Sequence, residues 1–381
     1  MVSYCQFSLF TFVKNQKVKT MSSSVNIRDF KLYKAVAPLK KPIADATHTL
    51  HEISFLVLRL QLENGVIGES YLLSFQYSPY AIQGAFRDLL PLVKGYAAYE
   101  TGKVYQKLDE ANEYFGNQGI NRWVQAAVNI AMWDAWGKCL NQPVGKLLGT
   151  YRDKCAIYGS GGWLSYTIDE LVAEVTDYVS RGFQAVKIKV GNPDWRTDLE
   201  RLRIVREAVG SQVNIMMDAN QGMKLPSALQ LAKAAQDLNI FWFEEPLHHQ
   251  DFEGYKALKQ QAGISLAMGE REYDTLPLVE LLKRNALDIW QPDILRIGGV
   301  EAWRESALLA NSHHIPVLPH YYKDYDVPLV CSIPNGVGVE SFDWIDPLID
   351  NPMTVKDGFA YPHQGAGWGF NFVDDTLELI F

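Results

Sequence analysis

The sequence predicts an α/β protein: a (β/α)8-type, modified TIM barrel preceded by an α+β capping domain. Three observations carry that reading. From about residue 155, short apolar runs alternate with amphipathic helical stretches, the rhythm of parallel strands joined by crossover helices. Ahead of them, residues 27–150 read as a strand meander followed by helices, which is an α+β unit. The third observation is a periodicity. Lys187 and Lys189, then Asp218, Glu244, Glu270, Asp293 and His320 close successive predicted strands, the last five lying 26, 26, 23 and 27 residues apart. One strand, one helix and two loops consume that much chain, and in a barrel the C-terminal strand ends share one mouth.

The chain has 381 residues, well beyond the roughly 250 of a single barrel, and four segments are expected. Residues 1–26 form an N-terminal extension outside the fold. Their apolar stretch has no basic segment before it and no small-residue cleavage site after it, so it does not read as a signal peptide. The SSSVNIRDF that follows Met21 reads as a natural start. Residues 27–150 are the capping domain. Its strands are IRDFKLYKAV, ISFLVLRLQL and VIGESYLL, the last two turned on Glu63-Asn64-Gly65 as an antiparallel hairpin. A long helix over 123–140 follows, with apolar residues at helical spacing. Residues 151–351 are the barrel, with strands expected at 156–159, 184–190, 213–217, 240–243, 265–268, 286–291, 315–318 and 336–339. Residues 352–381 are a turn-rich tail expected to pack back on the capping domain.

Composition narrows the function. Apolar residues at 48% and charged residues at 21% describe a globular chain with ample core. A net charge of −8 argues against nucleic acid or an anionic membrane as the main partner. No apolar run reaches the roughly 20 residues of a membrane-spanning helix. The four cysteines, Cys5, Cys139, Cys155 and Cys331, form no ligand pair and read as free thiols of a cytoplasmic protein.

Lys187 and Lys189 sit two apart on a strand, so both face the barrel interior while Ile188 faces the helices. Two ammoniums in a partly desolvated mouth repel, and one is expected to give up its proton and serve as a base. The bland alternative is a pair satisfied by neighbouring carboxylates. Asp218, Glu244 and Glu270 end three successive strands. A lone acid in such a place is most often a helix cap or a rim ion pair. Three converging carboxylates need a cation, and hard oxygen donors without His or Cys favour Mg²⁺. Asp293 and His320 end neighbouring strands, where a carboxylate orienting one imidazole nitrogen leaves the other as a positioned acid or base. Glu340 ends the eighth strand and, if kept protonated, could donate to a developing oxyanion. Asn220, two residues past Asp218, faces the same mouth as a donor. Lysines on one side of a metal and a histidine on the other would put a base on each face of a bound carboxylate, which suits removal of its α-proton.

The stretches AVKIKVG, IMMDANQG, WFEEPL, MGE, QPD, LPH and GVES, with AVNIAMWDAWGKCLNQPVGKLLG ahead of the barrel, resemble the enolase superfamily, specifically its mandelate racemase subgroup. The likeness runs from about residue 27 onward. Lys or His bases acting beside Mg²⁺ are already described for that superfamily. The resemblance implies Asp218, Glu244 and Glu270 as the Mg²⁺ ligands and Lys189 as the base on one face, with Lys187 tuning it. It implies His320 with Asp293 as base or acid on the other face, and Glu340 as a hydrogen-bond partner of the substrate carboxylate. Lys187, Asn220, Ser160 and, from a capping loop, His48 complete the expected substrate contacts. The resemblance also implies a homo-oligomer and a first domain whose loops close over the substrate. Glu245 matches no required position.

The loop IADATHTLHE presents Asp45, Thr47, His48, Thr49 and His51, a polar set that suits a polyhydroxy acid better than an aromatic one. Tyr322, Lys323 and Arg271 are candidates for a distal carboxylate. The expected activity is dehydration of a sugar acid, an aldonate or aldarate, to a 2-keto-3-deoxy acid through an ene-diolate. The alternatives are a racemase or epimerase of a 2-hydroxy acid, then a cycloisomerase. A non-catalytic sugar-acid-binding protein on a decayed barrel is the remote one, because decay would first erase costly polar groups and all are present.

Overall fold

The computed structural model of the protein describes residues 25–381. Most of the expected N-terminal extension therefore lies outside the described residues. Its last two residues differ from expectation: Val25 is buried and Asn26 bridges Ala97, so ordered packing begins ahead of residue 27.

The capping unit is built on a four-stranded antiparallel sheet in the order Glu378–Leu379, Ile27–Ala37, Ile53–Leu62, Ile67–Leu73. The expected hairpin is present, with Leu60 opposite Gly68 and Gly65 at φ 89° in the turn. Ile53–Leu62 is buried on both faces, because helix Ile120–Leu140 covers one of them. That helix is buried nearly all round, as a helix squeezed between two units must be. Asn129 ties it to the barrel by accepting from the Val300 N–H (2.9 Å) and donating to Glu301 (2.7 Å). Asp134 ties it to the tail and the sheet: its carboxylate accepts from the N–H groups of Glu69 (2.8 Å) and Trp368 (2.9 Å) and pairs with Lys138 at 2.6 Å.

The second unit is the expected parallel barrel. Its first six strands are Cys155–Gly161, Ala185–Lys189, Asn214–Asp218, Ile240–Glu244, Leu266–Met268 and Ile289–Trp290, and the eighth, Gly338–Ser341, pairs with the first to close the ring. The seventh departs from expectation. Instead of a strand over 315–318 there are only two bridges, from Val317 to Trp290 and to Gly336. Pro316 and Pro319 flank this point, and neither has an N–H to extend the ladder. The eighth strand runs Gly338–Ser341 rather than 336–339, so Glu340 lies inside it. Helices between the strands form the outer layer; the first, Ile168–Ser180, opens on a capping box between Thr167 and Glu170. Inside the ring Tyr158, Met216, Trp242, Ala267, Ile289 and Leu318 form a separate apolar layer that plugs the barrel below its mouth.

The tail visits both units. Its hairpin Val355–Lys356 and Phe359–Ala360 pairs antiparallel with the first barrel strand, and Glu378–Leu379 joins the capping sheet. Among the described residues no helix is long and apolar enough to cross a membrane.

Replacing Asp134 by Ala leaves two buried N–H groups without an acceptor, so Asp134→Ala is expected to lower unfolding stability by about 3 kcal/mol. Urea denaturation checks this, and a loss under about 1 kcal/mol would show that the tail does not depend on this carboxylate.

Candidate active site

Strand register assembles the mouth. Lys189 pairs with Asp218, and Asp218 with Glu244, so three neighbouring strands present them side by side. Lys187, two residues before Lys189, points inward one step deeper. Glu270 follows the fifth strand across Gly269, whose φ is +140°. A Cβ there would lie 2.8 Å from the Trp290 ring, so only glycine lets the chain turn Glu270 inward. The result is one buried carboxylate group: oxygen atoms of Asp218, Glu244 and Glu270 all lie within 4.8 Å of one another.

The lysines are caged by these acids. Lys187 Nζ lies 2.6 Å from Glu244, 2.7 Å from Glu340 and 3.7 Å from Asp218, and Lys189 Nζ lies 2.5 Å from Asp218. Burial disfavours both ammoniums, but Glu244 and Glu340 hold Lys187 well above the ordinary lysine range and Asp218 raises Lys189. This corrects the expectation that mutual repulsion would free one proton; the carboxylates outweigh the second ammonium. Burial, with Asp218, Glu340 and Glu270 nearby, pushes Glu244 up to about 7 against the pull of Lys187. Glu244 is further oriented by Trp242 Nε1 (3.0 Å) and Gln291 Nε2 (2.8 Å). Neither residue was singled out in the sequence. Their signal was available, since both are polar-tipped residues at inward positions of the strands that carry the site.

On the other flank His320 Nδ1 lies 2.8 Å from Asp293 Oδ2, and Nε2 lies 3.5 Å from Glu270. Asp293 also accepts from the N–H groups of Leu295 and Arg296, so the residue that orients the imidazole is itself fixed as a helix cap. Burial opposes the imidazolium, but Glu270 and Asp293 raise His320 above the usual histidine range. Glu340 accepts from the Tyr321 N–H at 3.0 Å. Burial would raise it, yet Lys187 and His320 hold it below the usual carboxylate range. This runs against the expectation of a protonated donor: the Lys187 ammonium 2.7 Å away lowers this acid instead of leaving it raised.

A cavity of about 460 Å³ opens above these groups, and Lys189, Asn220, Glu270, Asp293 and His320 line it. Lys187, Asp218, Glu244 and Glu340 lie just behind that lining, each no more than 1% exposed. Ser160 does not reach the cavity; it is buried, and its hydroxyl makes no hydrogen bond. The sequence placed it on the correct strand, but sequence cannot tell the layer beneath a mouth from the mouth itself. From the capping loop Asp45, His48 and Leu50 reach the cavity, while Thr47, Thr49 and His51 do not. Trp163, Phe342 and Trp344 add a stacked aromatic wall to the cavity, with Phe342 and Trp344 centroids 4.6 Å apart at 21°. The cavity therefore mixes polar and aromatic surface, where the loop alone had suggested a polar one. Lys323 is excluded as a distal contact, being buried against Asp343 and Asp346; Arg271 lines the cavity but donates to Glu245 at 3.0 Å. The loop is seated by Ala46: a Cβ on Gly191 or Gly222 would come within 2.7 or 2.4 Å of the Ala46 methyl carbon.

The donor set fits a hard divalent cation. It is all oxygen, it is buried, and Glu270 Oε2 makes no hydrogen bond.

Two family models match the chain: Mandelate racemase / muconate lactonizing enzyme, N-terminal domain, over residues 27–149, and Enolase C-terminal domain-like over residues 170–376. The chain is 28% identical to L-talarate/galactarate dehydratase of Salmonella typhimurium over 374 residues, covering 96% of this chain and 94% of that one. It is similar in structure to L-talarate dehydratase from Polaromonas sp. JS666 complexed with Mg and L-glucarate, with a TM-score of 0.86, 29% identity, and coverage of 92% and 96% of the two chains. It is equally similar to a racemase from Streptomyces coelicolor A3(2) with bound magnesium, with a TM-score of 0.87, 26% identity, and coverage of 91% and 97%.

Titration calorimetry with Mg²⁺ tests the carboxylate group directly. Glu270→Gln is expected to weaken binding by about 100-fold, and Gln291→Leu, which only frees Glu244, by about tenfold. Wild-type affinity in Glu270→Gln would place the cation elsewhere.

Proposed function

Because the chain belongs to the mandelate racemase/muconate lactonizing enzyme family of the enolase superfamily, we propose that it is a Mg²⁺-dependent enzyme removing the proton α to the carboxylate of a hydroxy acid, and that it dehydrates a sugar acid to a 2-keto-3-deoxy acid. The observation that carries this reading is the placement of two candidate proton carriers in one cavity. Lys189 lies beside Asp218 on one flank of the three carboxylates, and His320 lies beside Glu270 on the other.

Asp218, Glu244 and Glu270 would hold the cation. Bound there, Mg²⁺ supplies positive charge that acidifies the α-carbon and, by engaging Asp218 and Glu244, favours the neutral amine of Lys189. Lys189 then accepts the α-proton through Nζ, with Lys187 setting the local field from below. Asn220 lines the cavity, and its Oδ1, buried without a partner, is free to accept a substrate hydroxyl, while Lys187 and Glu340 act on the substrate carboxylate only through the field they set from behind the lining. His320, oriented through Nδ1 by Asp293, donates from Nε2 to the departing β-hydroxyl, which leaves as water. The enol left behind tautomerises to the 2-keto acid. Asp45 and His48 close the cavity from above and exclude water. The similarity to a sugar-acid dehydratase over nearly the whole chain supports this assignment, and a cytoplasmic homo-oligomer is part of it. Racemisation or epimerisation is the second reading, supported by the similarity to a racemase; there His320 would return a proton to the α-carbon itself.

Aldonic and aldaric acids assayed with Mg²⁺ are expected to yield 2-keto-3-deoxy acids, and chelation with EDTA to abolish the activity. Lys189→Ala and His320→Asn should each reduce kcat by about 10²- to 10⁴-fold. Deuterium uptake at the α-carbon without keto acid would replace dehydration by racemisation, and full activity in both variants would sink the proton-transfer scheme.

A further inference from the structure

A second oriented imidazole faces the same cavity. His249 lies on the loop after the fourth strand, and its Nδ1 is 2.9 Å from Oε1 of Glu272, which is only 3% exposed. This repeats the construction of His320 on Asp293. The His249 N–H donates to Gln221 Oε1 at 2.8 Å, so the loop is held as well as the ring. The ring lines the cavity, and its Nε2 makes no hydrogen bond among the described residues. A solvated loop histidine needs no buried carboxylate behind it. Burying such an acid is costly unless it orients something, and here it fixes one edge of an imidazole whose residue lines the ligand cavity.

We propose that His249, held by Glu272, is a substrate-binding residue that accepts a hydrogen bond from a hydroxyl beyond the reacting carbons, selecting polyhydroxylated acids over acids with an apolar tail. In the neutral ring with Nδ1–H directed at Glu272, Nε2 is the acceptor and a hydroxyl its natural donor. Lys189 and His320 occupy the two flanks of the carboxylate group, whereas His249 comes from the metal-ligand side, so it does not serve as a third base at the α-carbon. An apolar tail would leave Nε2 buried without a partner, a loss that sites built on hydrogen bonds use to reject analogues. The assignment rests on the hydroxy-acid reading given above.

The test compares wild type, His249→Ala, His249→Gln and Glu272→Gln with Mg²⁺ on six-carbon aldonic and aldaric acids. 2-Hydroxybutyrate, which has no oxygen beyond its α-hydroxyl, serves as a competitive inhibitor. His249→Ala is expected to raise KM for the six-carbon acids by about 10- to 100-fold with kcat nearly kept, and to change inhibition by 2-hydroxybutyrate far less. Glu272→Gln should show a smaller rise, and His249→Gln, which retains an acceptor, should recover most of the loss. Equal losses for both kinds of acid, or an unchanged KM in both His249→Ala and Glu272→Gln, would overturn the role of His249. A wild-type protein inactive on every acid would instead sink the hydroxy-acid reading itself.

Discussion

Asp218, Glu244, Glu270 and Glu340 crowd the barrel mouth with none more than 4% exposed, and the site depends on how that charge is neutralised. Like charges removed from water repel strongly, and each carboxylate resists ionisation unless a cation stands beside it. Lys187 meets this need for Glu244 and Glu340 and Lys189 for Asp218, while His320, Arg271 and Arg296 hold Glu270 low despite its burial. The lysines are therefore part of one electrostatic unit with the ligand set. Whatever engages the carboxylates also sets the proton affinity of the amines.

Such a cluster survives only on a scaffold that cannot relax around it. Pairing of Lys189, Asp218 and Glu244 across adjacent strands fixes their spacing through backbone hydrogen bonds rather than through flexible side chains. The apolar layer beneath, with Tyr158 edge-on to Trp242 at 5.3 Å, keeps water from entering through the barrel floor. The capping unit contributes differently. It is held to the barrel by Asn129 and to the tail by Asp134, and it brings Asp45, His48 and Leu50 over the mouth on a hairpin whose tip needs the slot made by Gly191 and Gly222.

The parts legible in the sequence were those that obey a period. Strand ends spaced by one barrel repeat carried the carboxylates and the His320–Asp293 pair, and all of them meet in three dimensions. What escaped depends on distances that no period encodes. Repulsion between Lys187 and Lys189 was legible, but not the acids that outweigh it. Ser160 sits on the right strand in the wrong layer. The seventh strand dissolved because Pro316 and Pro319 remove ladder donors, a local cue overruled in the reading by the repeat. His249 and Glu272 lie 23 residues apart on separate loops, so their contact is visible only once the fourth and fifth strands are neighbours.

The proposed site geometry is compatible with either the dehydration or the racemisation that the two relatives' names describe. Both reactions begin with loss of the α-proton and end with a proton delivered from a fixed place. His320 is held through Nδ1 by Asp293, and Asp293 is held by two backbone N–H groups, so Nε2 has one position relative to the carboxylates. On the proposed scheme the substrate atom resting against that nitrogen would receive the proton: the α-carbon would give inversion, the β-hydroxyl dehydration. Which atom rests there would, on the same scheme, be decided by how the rest of the substrate is seated among the aromatic wall of Trp163, Phe342 and Trp344 and the polar groups of the cavity. On that scheme the reacting residues fix the first step, and the upper cavity chooses its outcome.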